Sequence, residues 1–103
     1  MKSIEELAAR IVREFQPERV ILFGSHAYGT PTAQSDVDLL VILCHEGKGT
    51  RKAVEILNAI NPTIPVDLLV HTPERLARRL AQHDFFLQEV MEKGRVLYEV
   101  SHP

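Results

Sequence analysis

Three aspartates and a Gly-Ser pair are the residues of this chain whose types and spacing could do chemistry. Asp36 and Asp38 stand two apart in "SDVDLLVIL", at the head of an otherwise apolar run. On a strand, alternate residues share a face, so these two carboxylates project side by side while Val37 turns the other way. Paired carboxylates are a ligand set for hard divalent cations. Two such ions held roughly 3.5–4 Å apart stabilise both the attacking and the leaving oxygen of a phosphoryl-type displacement. Asp67, in "PVDLLVH", supplies a third carboxylate. Without a cation such a cluster repels itself. Upstream, Gly24-Ser25 closes the apolar run "RVILF". Gly24 lets backbone approach a ligand without a Cβ clash, and Ser25 offers a hydroxyl. A short helical turn through "SHAYG" would aim free N–H groups at phosphate.

These groups meet only if particular elements carry them. Ile4, Leu7, Ala8, Ile11, Val12 and Phe15 recur at helical spacing, with Ser3 and Glu6 as a capping box and Pro17 as the stop. "RVILF" and "VDLLVIL" read as strands, the second apolar enough to be covered on both faces. "HEGKGT" is a loop, and Ala53, Leu57 and Ile60 mark a helix that stops near Asn61-Pro62. "PVDLLVH" is the third strand. Strand, helix and strand in sequence form a crossover unit, so the second and third strands run parallel and "SDVD" and "PVD" begin at one edge. Gly24-Ser25 ends its own strand, and therefore reaches that edge only if the first and second strands are antiparallel. Thr72 as cap and Pro73 as first helical residue open "PERLARRL". Phe86, Leu87, Val90 and Met91 line a further helix ended by Gly94, and "RVLYEV" is a last strand. The expectation is a single domain over residues 1–103, α/β in class, with a mixed sheet of about four strands flanked by helices.

Composition narrows the function. The 103 residues are 45% hydrophobic and 25% charged, ordinary globular values that argue against disorder and coiled coil. Twelve Lys+Arg against 14 Asp+Glu give a formal charge of −2, so no bulk positive field announces nucleic acid or acidic lipid, and nucleic acid is disfavoured as a partner. The lone Cys44 cannot form an internal disulfide. No apolar run is long enough to span a membrane, and "MKSIEELAARIVREF" lacks a signal-peptide core, so a cytoplasmic location is expected.

Taken singly, Gly-Ser is a common turn and Ser-Asp an ordinary loop ending. Together, Gly24, Ser25, Gly29, Ser35, Asp36 and Asp38 form G-S-x3-G-x5-S-D-x-D, a chance match on the order of once in ten million per register at residue usage of roughly 6%. The segment "GSHAYGTPTAQSDVDLLVIL" resembles the signature of the DNA polymerase beta-like nucleotidyltransferase superfamily. With "VDLLV" downstream the chain is similar to the minimal nucleotidyltransferases of the MNT antitoxin type. The resemblance covers almost the whole chain and implies a palm-like fold, Mg2+ in a two-metal site, ATP as nucleotide donor, and transfer of a nucleoside monophosphate to an acceptor hydroxyl. Position by position, it implies that Gly24, Ser25, Gly29 and Ser35 handle the triphosphate, Gly29 by shaping the loop. Asp36, Asp38 and Asp67 would ligate metal, the third also deprotonating the acceptor. Many relatives carry Arg before the second glycine, where this chain has Tyr28.

Other residues offer decoys. "GKGT" at Gly47 to Thr50 lacks the G-x4-G-K-[ST] spacing of a P-loop, though Lys48, Arg51 or Lys52 could still touch phosphate. His26, His45, His71, His83 and His102 include no helical H-x3-H pair, which argues against zinc, and only His26 lies where it could meet a ligand. Cys44 reads as a thiol packed at the end of a buried strand. Arg75, Arg78 and Arg79 read as a solvated helix face. Two functions remain. One is an enzyme transferring AMP to a hydroxyl, with a helical HEPN-type toxin as the acceptor the resemblance implies. The other is a non-catalytic antitoxin that neutralises such a partner by occlusion. With 103 residues no separate acceptor domain is expected, so the acceptor is expected to bring its own surface, as a protein partner or a second copy in a homo-oligomer.

Overall fold

The computed structural model describes residues 2–32 and 34–101. In chain order its elements are α1 (Lys2–Phe15), β1 (Arg19–Phe23), α2 (Ser25–Tyr28), β2 (Val37–Ile42), α3 (Gly49–Ile60), β3 (Val66–His71), α4 (Pro73–Ala81), α5 (Phe85–Lys93) and β4 (Arg95–Glu99). The strands form one sheet in the order β3-β2-β1-β4. β2 pairs antiparallel with β1 and parallel with β3, the two pairings the site requires, and β4 joins the far side of β1 antiparallel. The expected α/β mixed sheet flanked by helices is the observed fold.

Strand alternation divides the core into two layers. Val20, Leu22, Val37, Leu39, Val41, Leu68 and Val70 meet α1 and α3 through Ile4, Leu7, Ile11, Ala53, Ile56 and Ile60. Ile21, Phe23, Leu40 and Ile42 meet α4 and α5 through Leu76, Leu87 and Val90 on the opposite face. β2 is buried along nearly its whole length, which explains its continuous apolar sequence. Among the described residues no polar or charged side chain is fully buried, so hydrophobic burial holds the layers together.

Local signals set most boundaries. Gln16 adopts a left-handed φ of 51° before Pro17, and Asn61 does so at 43° before Pro62, closing α1 and α3. The Thr72 hydroxyl caps α4 by accepting from the Arg75 N–H at 3.1 Å, and the Asp84 carboxylate caps α5 through the Leu87 N–H at 3.0 Å. Three details depart from expectation. Ser3 lies inside α1 rather than capping it, because the helix already includes Lys2. Cys44 is exposed, since β2 stops at Ile42 and the chain has left the sheet two residues later. Phe86, expected in the core, is half exposed.

Candidate active site

Gly24 to Asp38 folds around one close approach. Phe23 sits opposite Asp38 across the β1–β2 ladder, which brings Gly24, the next residue, over the Asp38 carboxylate. A Cβ at Gly24 would collide with Asp38 Oδ2 and stand 3.0 Å from its Cγ. Gly24 also has φ 74° and ψ −156°, a region open essentially to glycine alone. Gly24 is therefore required twice, by its own backbone and by its neighbour. Its carbonyl accepts from the Ala27 and Tyr28 N–H groups at 3.0 and 3.1 Å, forming the single turn of α2. The N–H groups of Ser25 and His26 precede the first bond of that turn. Gly29 ends the turn where a Cβ would lie 2.8 Å from Ser25 Cα.

The loop back to β2 is tied to this turn. His26 Nε2 lies 3.2 Å from the Ser35 carbonyl oxygen and so donates to it. The Ser35 hydroxyl accepts from the Thr32 N–H at 2.9 Å, and the Ser35 N–H donates to the Thr32 carbonyl at 3.1 Å. Ser35 is thus engaged in shaping its own loop. His26, read in the sequence as a ligand contact, fixes the segment that delivers Asp36.

Asp38 pairs in register with Asp67 across the parallel β2–β3 ladder. Both share a face with Leu40 and Leu69, the face covered lower down by α4 and α5, and Asp36 precedes Asp38 by two residues. Asp36 and Asp67 are exposed and Asp38 is half-buried. Partial burial, with the charges of Asp67 and Asp36, raises the Asp38 pKa above the ordinary carboxylate value; nearby His26 opposes the shift. Among the described residues no three His, Cys, Asp or Glu side chains are drawn together in a geometry that would hold an ion. The donor set nevertheless fits a hard divalent cation: these are carboxylate oxygens, two on adjacent strands and one just before β2, and their unfavourable feature is the negative charge a cation would offset.

The expected site residues Gly24, Ser25, Gly29, Ser35, Asp36, Asp38 and Asp67 all stand at this edge. Lys48, Arg51 and Lys52 do not, because they follow the other end of β2, and Gly49 packs on the Val70 carbonyl. Lys52 pairs with Glu55 at 3.0 Å and lies 5.4 Å from the Phe15 ring centre. Arg79 pairs with Asp84 at 2.9 Å. His45, His71 and His83 lie away from the site, and His102 is outside the described residues.

Residues 4–97 match the model of the nucleotidyltransferase domain family. The chain belongs to that family. No curated protein matches it. Among solved structures, a Sulfolobus solfataricus protein assigned as a nucleotidyltransferase superposes with a TM-score of 0.65 at 20% identity, over 95% of this chain and 78% of that one. A toxin–antitoxin structure with AMP-PNP gives a TM-score of 0.59 at 23% identity, over 94% and 74% of the two chains. A toxin–antitoxin MntA mutant, in which two aspartates two positions apart are glutamate, gives 0.58 at 20% identity, over 94% and 74%. At these identities the likeness is one of fold. No helix among the described residues is long and apolar enough to cross a membrane.

Proposed function

We propose that this nucleotidyltransferase transfers AMP from ATP to an acceptor hydroxyl on a partner protein, a helical toxin of the HEPN type, and so acts as an antitoxin. The observation that carries the reading is the register that sets Asp38 against Asp67 while Gly24 closes over Asp38. Family membership supports the chemistry. The toxin–antitoxin neighbours, one of them with AMP-PNP and one altered at an aspartate pair spaced like Asp36 and Asp38, support the nucleotide and the partner.

In this reading the Ser25 and His26 N–H groups and the Ser25 hydroxyl hold the triphosphate at the start of α2. Asp36, Asp38 and Asp67 are the residues that would hold Mg2+, which when bound supplies stabilisation of charge on the transferring phosphoryl group. Asp67, exposed and beside Asp38, accepts the proton of the acceptor hydroxyl. The new bond joins acceptor oxygen to the α-phosphorus, the bond to the β-phosphate bridge breaks, and pyrophosphate leaves. Incubating the chain with alpha-labelled ATP, Mg2+ and the protein of the neighbouring reading frame tests the proposal by mass spectrometry of the adduct. A tyrosine hydroxyl is the expected acceptor. If no adduct forms while the partner is still neutralised, and Asp67→Asn neutralises it equally well, the chain acts by occlusion.

A further inference from the structure

We infer that Phe86, braced by Phe23, forms an aromatic wall against which the base of the bound nucleotide stacks. The inference rests on the nucleotide-binding reading above and adds the residue that recognises the base. The phosphate seat and the carboxylates bind only the polar end of a nucleotide; a base is flat and apolar on its faces and needs a ring or aliphatic surface.

The structure supplies such a surface at the right edge. Phe23 is buried, lies directly across from Asp38 and immediately precedes Gly24, so its ring stands on the carboxylate-bearing face. Phe86 meets it edge-on, with ring centres 5.6 Å apart and planes at 83°. Despite this contact Phe86 stays 50% exposed, so half of its surface remains available beside the buried Phe23. Its neighbour Phe85 is 77% exposed and has no such ring partner among the described residues, so it is Phe86 that is both accessible and braced.

The wall is also held in place. Asp84 accepts from the Leu87 N–H through Oδ1 at 3.0 Å and from Arg79 Nε through Oδ2 at 3.0 Å, so the α4–α5 turn and the first turn of α5 are locked together. Leu87, the next residue, is buried in the same layer as Phe23. Phe86 therefore projects from an anchored turn toward the end of β1 where the phosphates would sit. Preorganisation of this kind limits the entropy lost when a ligand docks.

The test compares Mg·ATP with Mg·tripolyphosphate, which has the phosphates and no base, by calorimetry on the wild type, Phe86→Ala, Phe86→Leu and Phe86→Tyr. Phe86→Ala should weaken ATP about ten-fold or more and leave tripolyphosphate unchanged. Phe86→Tyr should keep ATP affinity. Phe86→Leu retains apolar packing on Phe23, so it reports loss of stacking even if the alanine variant folds poorly. Unchanged ATP affinity in Phe86→Leu, or equal loss for both ligands, overturns the wall. A wild type that binds tripolyphosphate as well as ATP overturns it while sparing the phosphate seat. A wild type that binds neither overturns both readings.

Discussion

The two ends of the sheet are built from the same strands and carry opposite charge. Where β1 stops and β2 and β3 begin, Asp38 and Asp67 pair in register with Gly24 over Asp38, and Asp36 stands two residues before Asp38. Where β2 and β3 stop, Lys48, His71 and Arg75 line a cavity of about 360 Å³. At each end the half-buried group is pushed toward neutrality. Burial and like charges raise the Asp38 pKa, and burial with Arg75 and Arg79 lowers that of His71. Relief differs between them. At the basic end the lysine and arginine are exposed to water, and Arg79 is paired with Asp84. At the acidic end a closed glycine turn lies against the carboxylate, and His26 is the neighbour that opposes the shift. An unrelieved cluster of like charge serves folding poorly, so the acidic end is where binding a cation and a nucleotide would return the most.

The largest effect should come from Asp38→Asn. Transfer to the partner and Mg2+-dependent ATP binding should both vanish, because two bare carboxylates and a triphosphate repel unless a cation bridges them. Folding should not suffer. A carboxylate whose folded pKa is raised contributes stability that is present below its unfolded pKa and lost as pH rises through the folded value. Asparagine removes that loss, so at pH 7 Asp38→Asn should melt no lower than the wild type, and added Mg2+ should raise the melting temperature of the wild type alone. Tight metal-independent ATP binding in the variant would break the contrast between the two ends. Asp67→Asn sharpens it: transfer should fall by about 10²- to 10⁴-fold, the usual contribution of a general base, with ATP affinity largely kept.

Gly24→Ala ranks next and mixes function with stability. From sequence alone the glycine should matter to ligand more than to fold. The structure adds φ 74°, ψ −156° and a Cβ clash with the half-buried Asp38 carboxylate. Forcing a side chain into that region should destabilise the fold by about 1–3 kcal/mol and also displace Asp38, weakening Mg·ATP binding. Ser25→Ala, which leaves the backbone intact, should weaken ATP binding at unchanged melting temperature. Urea melts run beside calorimetry separate the two variants.

The acidic end was legible because its signals are local and its geometry follows from strand rules. Alternation along β2 sets Asp38 on the face of Leu40, and the crossover helix makes β2 and β3 parallel, which delivers Asp67, while Asp36 lies one residue before β2 begins. The antiparallel pairing of β1 and β2 was required by the Gly24 argument before it was observed. What escaped was set by tertiary packing. Helical spacing placed Phe86 with Leu87 and Val90 as core, yet a helix of nine residues crossing a narrow sheet covers only part of its apolar stripe, and Phe86 falls at the margin. Cys44 follows an apolar run, so hydropathy buries it, whereas the sheet ends two residues earlier. The role of His26 depends on a loop nine residues on folding back, which no periodicity encodes.

The smallest effect belongs to the basic end. His71 closes β3, and its Nδ1 is buried without a hydrogen-bond partner among the described residues. Burial, Arg75, Arg79 and His45 disfavour its protonation, and Asp84 opposes them weakly. Its folded pKa therefore lies below the unfolded value of 6.5, so its contribution to stability is full above about that pH and is lost as pH falls through the folded value. Melting temperatures of the wild type and His71→Gln should run parallel above pH 7 and diverge by a few degrees toward pH 5, the wild type falling faster. Carboxylates and the other histidines titrate in both proteins, so the difference isolates His71. Arg75→Gln should narrow the divergence by removing the charge that most strongly opposes His71 protonation. Curves that stay parallel to pH 5 would show that water relieves this end as fully as its exposed cations, leaving the acidic end as the only part of the sheet where charge is held at a cost.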